Sequence, residues 1–257
     1  MRTLVISIGN TSLIGGVFAG ARLRASVRVP VREAAGSGFG RQVADRLGGE
    51  IDRAVLCSVV PALTPVVSRR IARTFGVEPL LLTADAAHGL KIGYRDAGRI
   101  GADRIAAAIG ARARFPGKNV IVVDCGTATT VTALRRDGAL LGGAILPGSD
   151  LWARILAVRT AQLPEIRLRR PKSALGRSPE EAIASGIWYG HAGAIQEVVR
   201  QVRREAFGQR RAIVVGTGGR AETWAGAGLF SAVDQDLILY GLVSYVKNMS
   251  SGARQIF

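Results

Sequence analysis

Two stretches of this 257-residue chain carry one small polar device. Val5-Ile6-Ser7-Ile8-Gly9-Asn10-Thr11 and Val123-Asp124-Cys125-Gly126-Thr127-Ala128-Thr129 each set a glycine-bearing turn directly behind a β-branched run, as a strand entering a tight turn does. A second apolar or Thr-rich stretch follows each, then a bend (Ala19-Gly20-Ala21 or Asp137-Gly138) and a return strand. Backbone N–H groups and hydroxyls in such a turn can close on phosphate oxygens, and two facing copies can hold one nucleotide between them. The copies differ at one position, where Ser7 aligns with Asp124. A third apolar run ends in Gly216-Thr217-Gly218-Gly219, whose glycines would let a purine and its ribose approach the backbone closely. Taken singly, each turn suits an ordinary hairpin; the three together are far more specific.

The elements that must position these turns alternate between strand and helix. A meander covers residues 3–29, a glycine-rich connection (36–40) leads to a helix near 41–47, and 53–59 reads as a buried strand. Pro61 suits an early helix position ahead of residues 66–72, and 79–82 is the next strand. An Ala-rich helix over 102–115 carries Ile105 and Ile109 on one face and stops at Pro116-Gly117, which divides the chain into lobes 1–116 and 117–257. The second half repeats the order: strands at 119–124, up to 134 and 139–145, helices over 150–162 and 179–207, a strand at 212–215 and a closing amphipathic helix over 236–247. Alternation of this kind favours an α/β fold, and two α/β lobes with a cleft between them are the economical arrangement.

Composition excludes several classes. A hydrophobic content of 48% rules out a disordered chain, and no uninterrupted apolar run approaches the ~18 residues that would span a membrane. The N-terminal apolar stretch begins at Thr3 and is already turning by Gly9, too short for a secretory signal, so a cytoplasmic location is expected. The only cysteines, Cys57 and Cys125, lie in or beside strand-like runs, which supports neither a disulfide framework nor a zinc site. His88 and His191 lack a Cys, an Asp or a second His at ligand spacing and read as structural or surface residues, and Trp152, Trp188 and Trp224 as core or interface residues. The net charge is +16, and all basic residues except Lys91, Lys118, Lys172 and Lys247 are Arg. Such a balance invites a polyanionic partner. The Arg residues are nevertheless scattered and lack interleaved aromatics, so a solvated basic surface is favoured over nucleic-acid binding.

Four motifs in order resemble the type III pantothenate kinase family, within the sugar kinase, heat-shock protein and actin superfamily. They are Gly9-Asn10-Thr11, Gly101-Ala102-Asp103-Arg104, Asp124-Cys125-Gly126-Thr127-Ala128-Thr129 and Gly142-Gly143-Ala144-Ile145-Leu146-Pro147-Gly148. The resemblance implies two ribonuclease-H-like lobes with a nucleotide cleft between them, and ATP-dependent phosphorylation of the primary hydroxyl of pantothenate, the first step toward coenzyme A. By the same resemblance Asp103 is the base, Arg104 pairs with the pantothenate carboxylate, and Tyr94, Gly101 and Ala102 complete the substrate wall. Without it, helix N-capping would explain Asp103, a surface ion pair Arg104 and loop packing Tyr94. Ser7, Ile8, Gly9, Asn10, Thr11, Ser12, Thr127, Gly218 and Gly219 would contact ATP, with Mg²⁺ held mainly by the phosphates. Asp124 ends a run of four apolar residues, where an unpaired carboxylate is expensive; it would hold a monovalent cation, K⁺ or NH₄⁺.

Three positions depart from the family pattern. Ser7 replaces the leading Asp, Thr132 a further Asp after the second turn, and Pro179 a Thr that reaches pantothenate from the partner subunit of a homodimer. The apolar stripe Ile183, Ile187, Ile195 and Val198 is the expected dimer seam. Two alternatives stay open at this point: a weakly active or catalytically silent relative with a regulatory or nucleic-acid-linked role, and phosphorylation of a different small hydroxyl compound.

Overall fold

The computed structural model describes residues 1–34, 36, 39–86 and 89–252. His88 and part of the glycine-rich connection at 36–40 lie outside the described residues. The chain divides into two units, Met1–Pro116 together with the segment from Asp236, and Gly117–Gln235.

In the first unit, β1 (Arg2–Ile8), β2 (Ser12–Ala19) and β3 (Arg22–Pro30) form an antiparallel meander, and β4 (Arg53–Ser58) and β5 (Pro79–Leu82) extend it in parallel, in the order β3-β2-β1-β4-β5. β1 is apolar on both faces because both are covered. Leu4, Ile6 and Ile8 pack with Val43 and Leu47 of α2 (Phe39–Leu47) and Val67 and Ile71 of α3 (Thr64–Phe75), beside the short α1 (Val31–Ala34). The opposite face meets α4 (Ala102–Arg114) and α8 (Leu237–Gly252). A short strand, β6 (Lys91–Ile92), and a 3₁₀ turn at Ala97–Arg99 lead into α4.

Two expectations change here. The closing helix belongs to the first unit rather than to a lobe spanning 117–257, because small residues let α4 and α8 meet backbone to backbone. A Cβ at Gly110 would stand 2.1 Å from the Leu237 carbonyl oxygen, and one at Gly241 1.8 Å from that of Ala106. Pro61 lies in a turn ahead of α3; the helix starts at Thr64, with Pro65 as its early proline.

The second unit repeats the topology of the first. β7 (Val120–Cys125), β8 (Ala128–Leu134) and β9 (Ala139–Pro147) form the meander, and β10 (Ile213–Thr217) and β11 (Ala232–Val233) run parallel to β7, in the order β11-β10-β7-β8-β9. One face carries α5 (Ser149–Arg159), α6 (Pro179–Phe207) and α7 (Ala221–Ala225). Ser178 caps α6 by accepting from the Glu181 N–H at 3.2 Å, and Pro179 takes the first-turn position that lacks an intrahelical donor role. Ile183, Ile187 and Ile195 of α6 are buried against Ile121, Val123 and Val131, so the expected seam is the core of this unit. Among the described residues no helix is long and apolar enough to cross a membrane.

Candidate functional site

The duplicated topology makes Ser7 and Asp124 structural counterparts, each the penultimate residue of the first strand of its sheet. The register places Ser7 between Ile14 and Cys57, and Asp124 between Thr130 and Thr217. Directly paired residues share a sheet face, so each position is flanked by its neighbours' side chains.

In the first unit, Ser7 is 5% exposed and its hydroxyl hydrogen-bonds the Cys57 thiol. Burial pushes that thiol up to about 12, and the nearby Asp103 carboxylate adds to the rise. Ser7, Cys57 and Asp103 therefore form one neighbourhood in which only Asp103 can carry charge. Asp103 lies in the first turn of α4, not at its cap; Gly101 is the N-cap. The Asp103 carboxylate folds back to accept the Arg104 N–H at 2.7 Å, and a Cβ at Gly101 would come within 2.5 Å of its Oδ1. Burial raises the pKa of Asp103, against the lowering effects of the Arg104 N–H and guanidinium. The Arg104 side chain is buried; Nη1 donates to the Tyr94 hydroxyl, and the guanidinium stands 5.4 Å from that ring's centroid. Tyr94, Gly101, Asp103 and Arg104 are thus brought together, with buried Ala102 between them. A half-buried carboxyl can accept a proton from a hydroxyl while the buried guanidinium beside it holds an anionic group of the same molecule.

The turn at residues 9–12 closes through its own backbone. The Gly9 N–H donates to the Ser12 carbonyl at 2.9 Å, Val59 N–H donates to that of Ile8 at 3.0 Å, and Arg28 Nη1 donates to Ser12 Oγ at 3.0 Å. Asn10 and Thr11 are exposed at its tip. In the second unit, the Gly126 N–H donates to the Ala128 carbonyl at 3.1 Å, and Gly126 and Thr127 are exposed. Gly148 locks the base of this turn, its N–H donating to the Thr127 carbonyl at 2.9 Å; a Cβ there would stand 2.4 Å from the Gly126 carbonyl oxygen.

Asp124 is hemmed in by backbone. At Gly218, with φ of 86°, a Cβ would lie 2.2 Å from Asp124 Oδ1, so both conformation and space demand glycine. The Thr217 hydroxyl on the same sheet face is buried without a hydrogen-bond partner. Among the described residues no three His, Cys, Asp or Glu side chains gather as a metal site. One carboxylate with hydroxyl and carbonyl oxygens around it suits a monovalent cation better than a divalent one built wholly by protein. Exposed Gly219 follows, and Arg220 grips Asp150 through two nitrogens at 2.7–3.0 Å, tying this loop to the start of α5.

Of the remaining departures, Thr132 is 2% exposed in mid-strand, opposite Val122 and Gly143, a place that suits a hydroxyl better than an isolated charge. Pro179 is exposed at the start of α6 in the second unit. Gly148 closes the fourth motif, whereas Cys57 and His191 had no signal in local sequence; Cys57 becomes visible only through strand register. His191 is fully buried, with Nε2 3.2 Å from Thr129 Oγ1, and its ring contacts Trp152 edge-on at 5.7 Å and Trp224 at 4.9 Å. The Pro147 carbonyl also faces the ring, short of a full hydrogen bond to Nδ1, and burial lowers the pKa so that the imidazole is neutral.

Comparison with known proteins adds the following. A family model described as type III pantothenate kinase matches residues 3–201. The chain is 37% identical over 245 residues to a type III pantothenate kinase of Legionella pneumophila (strain Corby), covering 93% of this chain and 96% of that one. Among solved structures, a Campylobacter jejuni protein assigned to the Baf family of transcriptional activators superposes with a TM-score of 0.63 at 18% identity, covering 96% of this chain and 99% of that one. The activator of 2-hydroxyisocaproyl-CoA dehydratase from Clostridium difficile, solved with bound ADPNP, gives 0.55 at 15% identity, covering 100% and 98%. At these identities the structural likenesses speak for the fold.

Proposed function

The chain belongs to the type III pantothenate kinase family, and from that premise we propose that Asp103, Arg104 and Tyr94 form the acceptor half of its site and the glycine turns of both units the ATP half. The enzyme phosphorylates pantothenate to 4'-phosphopantothenate, the first step of coenzyme A biosynthesis, acting on dissolved substrates in the cytoplasm. The observation that carries the residue assignment is the Tyr94–Arg104–Asp103 cluster, a raised carboxyl and a buried guanidinium preassembled at the start of α4. Arg104 holds the pantothenate carboxylate as a fork, and Tyr94 fixes the guanidinium. Asp103 takes the proton of the primary hydroxyl as its oxygen bonds to the γ-phosphorus and ADP departs. Gly9 to Ser12 and Thr127 flank the phosphates, while Gly218 and Gly219 leave room for the nucleoside.

Mg²⁺ would arrive with ATP, and Asp124 with the Thr217 hydroxyl would hold K⁺ or NH₄⁺, which would neutralise phosphate charge. Ser7 keeps a hydrogen-bonding group at the first turn but brings no negative charge to Mg²⁺. The protein works as a homodimer. An exposed apolar stripe on α5, Leu151, Ile155 and Val158, supports that reading, and Ile145 on β9 and Tyr189 on α6 are also exposed.

The test is direct. Purified protein with ATP, Mg²⁺, K⁺ and pantothenate should form 4'-phosphopantothenate, read by mass, and Na⁺ in place of K⁺ should slow it. Absence of product in both ions, alongside salt-dependent binding to a DNA fragment, would move the reading to a non-catalytic relative.

A further inference from the structure

One imidazole underlies all three loops of the second unit that carry nucleotide-facing residues. Thr129, whose hydroxyl meets His191 Nε2, stands two residues after Thr127 on β8. Pro147, whose carbonyl faces the ring, is the last residue of β9 and precedes Gly148. Trp152, edge-on to the ring, lies in the first turns of α5, directly after Gly148. Trp224, tilted against the ring at 4.9 Å and 33°, sits on α7, just beyond Gly218 and Gly219. Four contacts thus reach the roots of the 126–127 turn, the 147–148 bend and the 216–219 loop. His191 itself stands midway along α6, a 29-residue helix.

We propose that His191 is a positioning residue for nucleotide binding: through Thr129, Pro147, Trp152 and Trp224 it sets the relative placement of the three loops. This rests on the reading of those loops as the ATP half of the site. A polar ring is needed because an apolar one of similar size would leave the buried Thr129 hydroxyl without this partner. A fully buried ring in contact with two indoles is closely packed, which favours one arrangement of the loops before ligand arrives.

The experiment measures binding of Mg²⁺–ADPNP by calorimetry, with thermal melting as the folding control, in wild type, His191→Phe, His191→Gln and Thr129→Val. Wild type that fails to bind ADPNP overturns the ATP-site reading itself, before the variants are considered. Given wild-type binding, His191→Phe should weaken ADPNP by about tenfold or more while the KM for pantothenate stays within about twofold. His191→Gln, whose amide can still donate to Thr129 Oγ1, should recover most of the loss, and Thr129→Val should reproduce part of it. The proposal is overturned if His191→Phe binds ADPNP as wild type does, if Gln gives no recovery, or if the KM values for both substrates rise together. Should His191→Phe fail to fold, Thr129→Val decides: unchanged ADPNP affinity rejects the role, and a loss confined to the nucleotide supports it.

Discussion

A carboxyl that burial holds above its ordinary pKa costs the folded state free energy whenever it is ionised, and Asp103 is such a group. The sign follows from proton linkage. The native state keeps this proton to higher pH than the unfolded chain, so the stability it contributes is lost as pH rises through the folded pKa. Asp103→Asn should therefore melt at or above the wild-type temperature at neutral pH, while turnover falls by ~10²-fold or more through loss of the base. A drop in melting temperature with turnover retained contradicts the assignment. The acidic limb of the kcat/KM profile should also lie above the range of an ordinary Asp. Ser7 offers the complementary case. Ser7→Asp places a second carboxylate in the buried neighbourhood of Cys57 and Asp103, which should destabilise the free protein by roughly 1–3 kcal/mol. Mg²⁺–ATP would offset that charge, so the variant should gain more melting temperature from the nucleotide than wild type does, and turn over ~10-fold faster. Equal shifts in the two proteins would argue that position 7 does not face the metal–phosphate group.

At the scale of elements, α4 carries the proposed acceptor residues at its start and a close backbone contact with α8 in its body, and glycines serve both places. The group nearest a Cβ at 101 is a carboxylate that can swing aside, whereas the group nearest a Cβ at 241 is backbone that cannot. Gly101→Ala should accordingly leave stability within about 1 kcal/mol of wild type and lower turnover, because Asp103 is turned away. Gly241→Ala should destabilise by roughly 3 kcal/mol or more in denaturant melts, by driving α8 off α4. The meander of β1, β2 and β3 and its repeat in β7, β8 and β9 were legible because strand periodicity and Gly turns are local signals. The placement of α8 was not, since a glycine notch is read only when Gly110 and Gly241 are known to face each other. The same limit hid Cys57, which touches Ser7 through register, and turned the α6 isoleucines into an expected seam. An apolar stripe on a helix says that it is covered, but not by what. In the proposed acceptor site, the motif pointed to Asp103 and Arg104, whereas the raised carboxyl and the hydrogen bond to Tyr94 needed coordinates.

At the scale of the molecule, two units with one topology have diverged in charge at equivalent positions. The first keeps a neutral Ser7–Cys57 pair, and the second keeps Asp124 beside an orphaned Thr217 hydroxyl, so the proposed cation site falls in one copy only. Some Arg residues sit in exposed pairs, such as Arg135 with Asp137 and Arg200 with Glu197, which contribute little to stability in water and leave the net charge of +16 in place. A more consequential surface feature is apolar. Ile155 and Val158 on α5 are 54% and 67% exposed, one turn apart and in line with Leu151. Isolated apolar residues on a surface need no explanation, but three on one helical line mark a face that a second copy can cover. If the proposed dimer forms through this face, the double substitution Ile155→Glu with Val158→Glu should leave a monomer in sedimentation velocity, with a melting temperature that no longer depends on protein concentration. The variant should retain ADPNP affinity, because Asp124, Thr127 and Gly218 lie within the chain that carries them, and lose pantothenate turnover if the partner completes the acceptor wall. A variant that remains dimeric would place the interface elsewhere and leave the α5 stripe without this role.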